Sequence, residues 1–175
     1  FSEIYHPADA FRKRYAGTRI WSLWRRIAPS IEWSTDYHRG VEGAERLPLW
    51  IKPEKKISTM DVAKLMSDHY EGTPYDMTKG IDAGPFGCPN RWWFILWKHD
   101  DGNRYMFERA ISSQRTSMTL ISQSRSWLPD SIGGILWIGY DAPDTSCWIP
   151  VYMGVDRVPD SFATGTLAEF TWDSA

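Results

Sequence analysis

Apolar positions follow a helical period in the first half of the chain and a strand period in the second. In TRIWSLWRRIA, residues 18–28, Ile20, Leu23, Trp24 and Ile27 fall at i, i+3, i+4 and i+7, one face of a helix. Arg25 and Arg26 suit its C-terminal end, and Pro29 stops it. A second helix is expected from Ser58, because Ser58 and Asp61 have the spacing of a capping box. Its stripe would be Val62, Leu65, Met66, His69 and Tyr70, with Gly72 and Pro74 ending it. Residues 30–57 hold no sustained period and contain Gly40, Gly43, Pro48 and Pro53, so they predict an irregular connection.

From residue 91 the period changes. RWWFILWKHDDGNRYMFERAI reads as two strands joined by a turn at Asp101 and Gly102. SMTLISQSRS, GGILWIGYD and CWIPVYMGV follow, separated by WLPDSI and APDTS. These connections are too short for crossover helices, so the strands should form an antiparallel sheet. Pro150 predicts an edge strand or a bulge. The expected fold class is α+β, an antiparallel sheet with flanking helices, in one partial domain. Residues 1–90 would supply helices and irregular connections, 91–155 the strands, and 156–175 the uncapped start of a truncated helical segment.

One strand raises a question of chemistry. Side chains alternate faces, so Thr119, Ile121, Gln123 and Arg125 share a side. Either the strand's end runs into water there, or polar groups line a pocket.

Composition narrows the alternatives. At 175 residues the chain is long enough to bury a sizeable core. With 20 Lys and Arg against 22 Asp and Glu there is no overall field to attract phosphates, which argues against nucleic acid as a partner. Basic residues nevertheless gather near the start: Arg12, Lys13, Arg14, Arg19, Arg25 and Arg26 face the single acid Asp9, as a solvated face or as a contact to an acidic surface. No apolar run is long enough for a membrane span, and FSEIYHPADA is not a signal peptide, which leaves localisation open. Cys88 and Cys147 could pair only once. The 11 Trp residues can fill a core or interface, or line a glycan- or peptide-binding surface; Trp33 and Trp172 lie outside the apolar runs.

Common catalytic spacings are missing. His6, His38, His69 and His99 are scattered, without a zinc motif, a phosphate loop or a Gly-x-Ser-x-Gly elbow, so no metal or cofactor is expected. His69 is read either as catalytic or as a hydrogen-bonded core residue. Cys88, in GPFGCPN, has a nucleophile's chemistry but no neighbouring base in sequence.

The stretches HYEGTPYDMTKGIDAGPFGCPNRWW, ERAISSQRTSMTLISQSRSWLPDSIGGILWIGYDAP and WIPVYMGVDRVPDSFATG together resemble the middle-to-late part of the cysteine dipeptidases of the dipeptidase A type, which are N-terminal-nucleophile hydrolases. LPLWIKPEKKIS and EFTWDSA extend the resemblance over residues 18–175. It implies a longer protein, a four-layer αββα sandwich and a dipeptide substrate. Members act through a cysteine that becomes the first residue, its free amine activating the thiol. Here Phe1 stands first and both cysteines are internal, so the nucleophile is expected outside this chain, on the remainder of the same polypeptide. By resemblance in kind to an Asn and Arg pair of related amidases, Gln123 and Arg125 become candidate oxyanion or substrate contacts; the alternative is a salt bridge at the strand end. A sheet parted from its covering layer would also self-associate. The rival function is an aromatic-rich module that binds glycans or peptides.

Overall fold

The computed structural model describes residues 10–90, 96–106, 108–159 and 162. Trp172 and all but residue 162 of the expected terminal helical segment beyond residue 159 lie outside the described residues, as does the start of the first expected strand. The chain divides into two compact units, Phe1–Thr119 with Tyr140–Ser146, and Leu120–Gly139 with Cys147–Ala175.

The first unit opens with helix α1, Ala10–Ile27, which ends on Arg25 and Arg26 as anticipated but starts earlier than its apolar stripe suggested. Its buried face is also different. Thr18, Trp21 and Ser22 are enclosed, together with Ala28 beyond the helix end, whereas Ile20 is 38% exposed and Leu23, Trp24 and Ile27 are only half-buried. The helix turns this way because polar partners await that face: Trp21 Nε1 donates to the Trp33 carbonyl at 2.9 Å, and Ser22 donates to a buried carboxylate. A single turn, α2 at Asp36–Arg39, packs against α1 where Gly17 leaves no room for a side chain; a Cβ there would stand 2.7 Å from His38 Cβ. His38 is fully buried between Trp21 and Tyr75, with ring centroids 5.7 and 5.5 Å away.

Helix α3, Thr59–Met66, begins with the capping box foreseen at Ser58 and Asp61, both halves of which are present. It stops well before Gly72. Asp68 and His69, both buried, lie beyond the helix end, and Tyr70 takes a left-handed conformation at φ 65°, uncommon for a residue with a Cβ. The buried Tyr70 hydroxyl donates to the Arg109 carbonyl at 2.7 Å, and its ring packs with Met77, Ala110 and Tyr75 as a small core. A turn of 3-10 helix follows at Ile81–Ala83. Strands β1, Leu96–Lys98, and β2, Arg104–Met106, form the expected hairpin, with Lys98 opposite Arg104 and Gly102 at φ 85° in its turn.

A three-stranded sheet carries the rest. Strands β3, Met118–Ser124, β4, Gly134–Tyr140, and β5, Ile149–Tyr152, lie in that spatial order, with a single helical turn, α4 at Asp130–Gly133, between the first two. β4 and β5 are antiparallel, Trp137 facing Pro150, and among the described residues β5 is an edge, one of the two positions expected of Pro150. Among the described residues the single sheet expected from the sequence is instead two, since the β1–β2 hairpin pairs only with itself. The mixed helical and antiparallel content is that of an α+β fold. Among the described residues no helix is long and apolar enough to cross a membrane.

Candidate functional site

The densest polar chemistry in the first unit converges on the segment that leaves α3. The Asp68 carboxylate is fully enclosed: Oδ2 accepts from the Ser22 hydroxyl at 2.5 Å, while Arg26 and Arg25 reach Oδ1 at 3.1 and 3.6 Å. Burial lowers the pKa of Arg25, and the Asp68 charge opposes that fall. The same guanidinium lies over the Trp21 ring, 5.3 Å from its centroid.

Next in the chain, His69 is bracketed by two carboxylates. Its backbone N–H donates to Glu71 Oε2 at 3.0 Å, its Nδ1 lies 3.3 Å from Glu71 Oε1, and its Nε2 lies 3.8 Å from Asp144 Oδ2. Asp144 accepts from the Ser112 hydroxyl at 2.5 Å, and the Ser112 N–H donates to the Asp68 carbonyl at 3.2 Å. Burial pushes the Glu71 carboxyl up, but hydrogen bonds from its own and the His69 backbone, with the His69 charge, outweigh this and hold it below its ordinary value. The enclosed His69 is hydrogen-bonded through Nδ1, whereas its buried Nε2, with Asp144 3.8 Å away, has no hydrogen-bond partner among the described residues.

Of the basic residues near the start, Lys13, Arg14, Arg19, Arg25 and Arg26 are engaged with the chain itself. Arg14 pairs with Glu108 and lies 4.8 Å from the Tyr75 centroid; Arg19 Nε donates to the carbonyls of Ala110 and Arg109 at 3.0 and 3.3 Å; Lys13 lies over Tyr37. Asp68, Glu71, Ser112 and Asp144 were not singled out in sequence. The only local signal is the crowding of ionisable types from Asp68 to Glu71.

In the second unit the alternation along β3 holds: Ile121 is buried, and Gln123 and Arg125 are half-buried between exposed Ser122, Ser124 and Ser126. Gln123 Oε1 accepts from Trp137 Nε1 at 3.2 Å, and its amide N–H groups are its donors. Among the described residues Arg125 makes no salt bridge. Its backbone N–H donates to the Gly133 carbonyl at 2.8 Å, its Nη2 donates to the Ile132 carbonyl, and its Nε is enclosed without a hydrogen-bond acceptor. The strand end therefore closes on the α4 turn rather than fraying into water.

Both cysteines are free and exposed, and Cys88 Sγ lies 3.9 Å from the Asn90 carbonyl. Among the described residues no three His, Cys, Asp or Glu side chains converge to hold a metal ion. The tryptophans divide: Trp21, Trp24, Trp33 and Trp137 place their indole N–H on an acceptor, whereas Trp50 and Trp127 are 84% and 76% exposed.

The enzyme class suggested by these sequence stretches agrees with comparison to known proteins. The chain belongs to peptidase family C69, whose family model matches residues 1–175. It is 26% identical over 179 residues to a dipeptidase of Bifidobacterium longum (strain NCC 2705), an alignment covering 96% of this chain and 30% of that protein. It is 31% identical over 169 residues to a protein named probable dipeptidase A of Streptococcus pyogenes serotype M18 (strain MGAS8232), covering 92% and 30%. A protein named probable dipeptidase of Salmonella dublin is 27% identical over 157 residues, covering 89% and 30%. The chain thus spans about 30% of the length of these relatives. No solved structure gives a significant match.

Proposed function

We propose that this chain is the later α+β portion of a cysteine-type dipeptidase, whose nucleophile stands on a part of the polypeptide outside it and whose complete fold is the αββα sandwich. The observation that carries the reading is the match to peptidase family C69 along all 175 residues. The relatives named as dipeptidases supply the substrate class. On this reading a thiolate attacks the peptide carbonyl of a dipeptide, an oxyanion forms, and collapse releases the leaving amine before water cleaves the thioester.

The role proposed for the second unit is to supply donors at that oxyanion or at the substrate carboxylate. Trp137 holds Gln123 through its Oε1, which keeps the amide N–H groups as its donors, and the Ile132 carbonyl holds one prong of the Arg125 fork. Fixed donors of this kind contribute about 3 kcal/mol each to transition-state stabilisation. In the intact parent enzyme, Arg125→Lys should lower turnover about a hundredfold at unchanged thermal stability, because an ammonium can keep the carbonyl bond but cannot reproduce a planar fork. Near-normal turnover would remove Arg125 from the reaction.

On its own, the 175-residue chain is expected to hydrolyse no dipeptide. The check is a dipeptide panel with and without a thiol-alkylating reagent, run beside a Cys88→Ala, Cys147→Ala variant. Turnover that alkylation abolishes and the variant lacks would place the nucleophile inside the chain and overturn this assignment.

A further inference from the structure

A strand at a sheet edge exposes unpaired main-chain donors and acceptors, and folded chains blunt such edges or cover them. Among the described residues the two edges of the three-stranded sheet differ in this respect. β5 is four residues long and carries Pro150, which has no N–H to offer a further strand. β3 is seven residues long, and its sequence MTLISQS holds no proline and no charged side chain. The separate β1–β2 hairpin has strands of three residues with a basic pair, Lys98 opposite Arg104. Of these edges, β3 alone is both long and unguarded.

Its bonds show which main-chain groups are open. The Arg125 N–H donates to the Gly133 carbonyl at 2.8 Å, and the Asp141 N–H donates to the Ser117 carbonyl at 3.1 Å, so the odd-numbered residues along β3 turn their N–H and C=O groups toward β4. Leu120, Ser122 and Ser124 therefore turn theirs to the open edge. All three residues are exposed, and among the described residues their main-chain groups make no bond outside the sheet.

Donors and acceptors recurring at every second residue match another extended segment. The few hydrogen bonds such an edge offers are each of modest net worth in water, and a partner taken from solution must also give up its translational and rotational freedom. That disfavours a free peptide or a second copy. A segment tethered on the same polypeptide has already given up most of that freedom. This chain spans about 30% of the length of its dipeptidase relatives, so on the reading proposed above the polypeptide has such a segment to supply.

We propose that the longer polypeptide adds a strand to this sheet along β3, bonded to the main chain of Leu120, Ser122 and Ser124. The added strand is recognised by its pattern: apolar side chains on the face where Ile121 is buried, and polar ones on the face where Ser122 and Ser124 are exposed. The assignment rests on the chain being one portion of a longer polypeptide and not on what that polypeptide hydrolyses.

The test is amide hydrogen exchange on the intact parent protein, resolved to single residues. The Leu120, Ser122 and Ser124 amides should exchange within about tenfold of the Ile121 and Gln123 amides, whose N–H groups face β4. A photoreactive side chain, Ser122→p-benzoylphenylalanine, should cross-link to one extended segment outside the 175 residues. Exchange at least about a hundredfold faster than at Ile121 and Gln123 would overturn the proposal, as would cross-links confined to the 175 residues. Slow exchange that is lost on dilution to about 1 μM would also overturn it, by making a second copy the occupant. Slow exchange in a parent that hydrolyses no dipeptide would uphold the added strand and remove the dipeptidase reading, whereas fast exchange in an active dipeptidase would do the reverse.

Discussion

Arg25 in the first unit and Arg125 in the second both extend from regular elements toward half-enclosed polar surroundings, yet they are held in different ways. Arg25 reaches a carboxylate, Asp68, that arrives from beyond α3, and shares it with Arg26 and Ser22. Arg125 reaches a main-chain carbonyl on the turn that follows its own strand, at Ile132. The first arrangement forms only when distant segments have docked. The second follows once β3 has turned into α4. Charge buried in a network of remote partners is a cooperative feature whose loss leaves uncompensated ions, whereas a carbonyl bond made by a half-exposed arginine affects little beyond its own turn.

Removing the hub of the network should produce the largest effect. Asp68→Ala leaves two guanidinium groups and the Ser22 hydroxyl facing an enclosed space, and should lower unfolding free energy by about 3–5 kcal/mol. Urea denaturation reads this directly. A loss under about 1 kcal/mol would mean the first unit tolerates its network broken and is no more cooperative than the second.

Acid offers a second way to separate the regions. Burial, with the positive charges of Arg14 and Arg39 adding to it and Asp36 opposing, lowers the His38 pKa from 6.5 to about 4. As pH falls, the unfolded chain takes up this proton first, so the contribution of His38 is complete above pH 6.5, declines between 6.5 and about 4, and is level below that. The change amounts to no more than about 3 kcal/mol. Stability measured across that window should slope in the native chain and slope less in His38→Phe; identical slopes would exclude His38 as the source.

Two glycines compare packing against flexibility. Gly17→Ala drives a methyl into His38 Cβ, which is locked between two aromatic rings, and should cost about 1–3 kcal/mol despite the better helix propensity of Ala. Gly134→Ala meets Met153 Cγ at 2.5 Å, but that side chain is exposed and can swing aside, so thermal unfolding should barely move. The reverse order would show that the second unit is the more tightly packed. The smallest change expected of a bond actually lost is in Arg125→Met, about 1 kcal/mol for its contact with the Ile132 carbonyl. A loss comparable with Asp68→Ala would contradict the local character assigned to it.

What the sequence determined by itself are the features closed within a few residues. The Ser58 and Asp61 capping box, the Gly102 hairpin turn, the edge position of Pro150 and the shared face of Gln123 and Arg125 all depend on short-range geometry that four to eight residues specify. The tertiary structure decided which way α1 turns, where α3 stops and what the polar side chains touch. Ile20, Leu23, Trp24 and Ile27 make a proper helical stripe, but the face that is buried is the one whose Ser22 and Arg25 meet Asp68. Periodicity carried His69 onward in a helix, whereas Asp68 and His69 both lie buried beyond its end, with Ser22 bonded to the one and Glu71 to the other. The physical reason is that a buried polar group must find its partner wherever the fold brings one, and Ser22, Ser112 and Asp144 come from segments that no local pattern connects to residue 68.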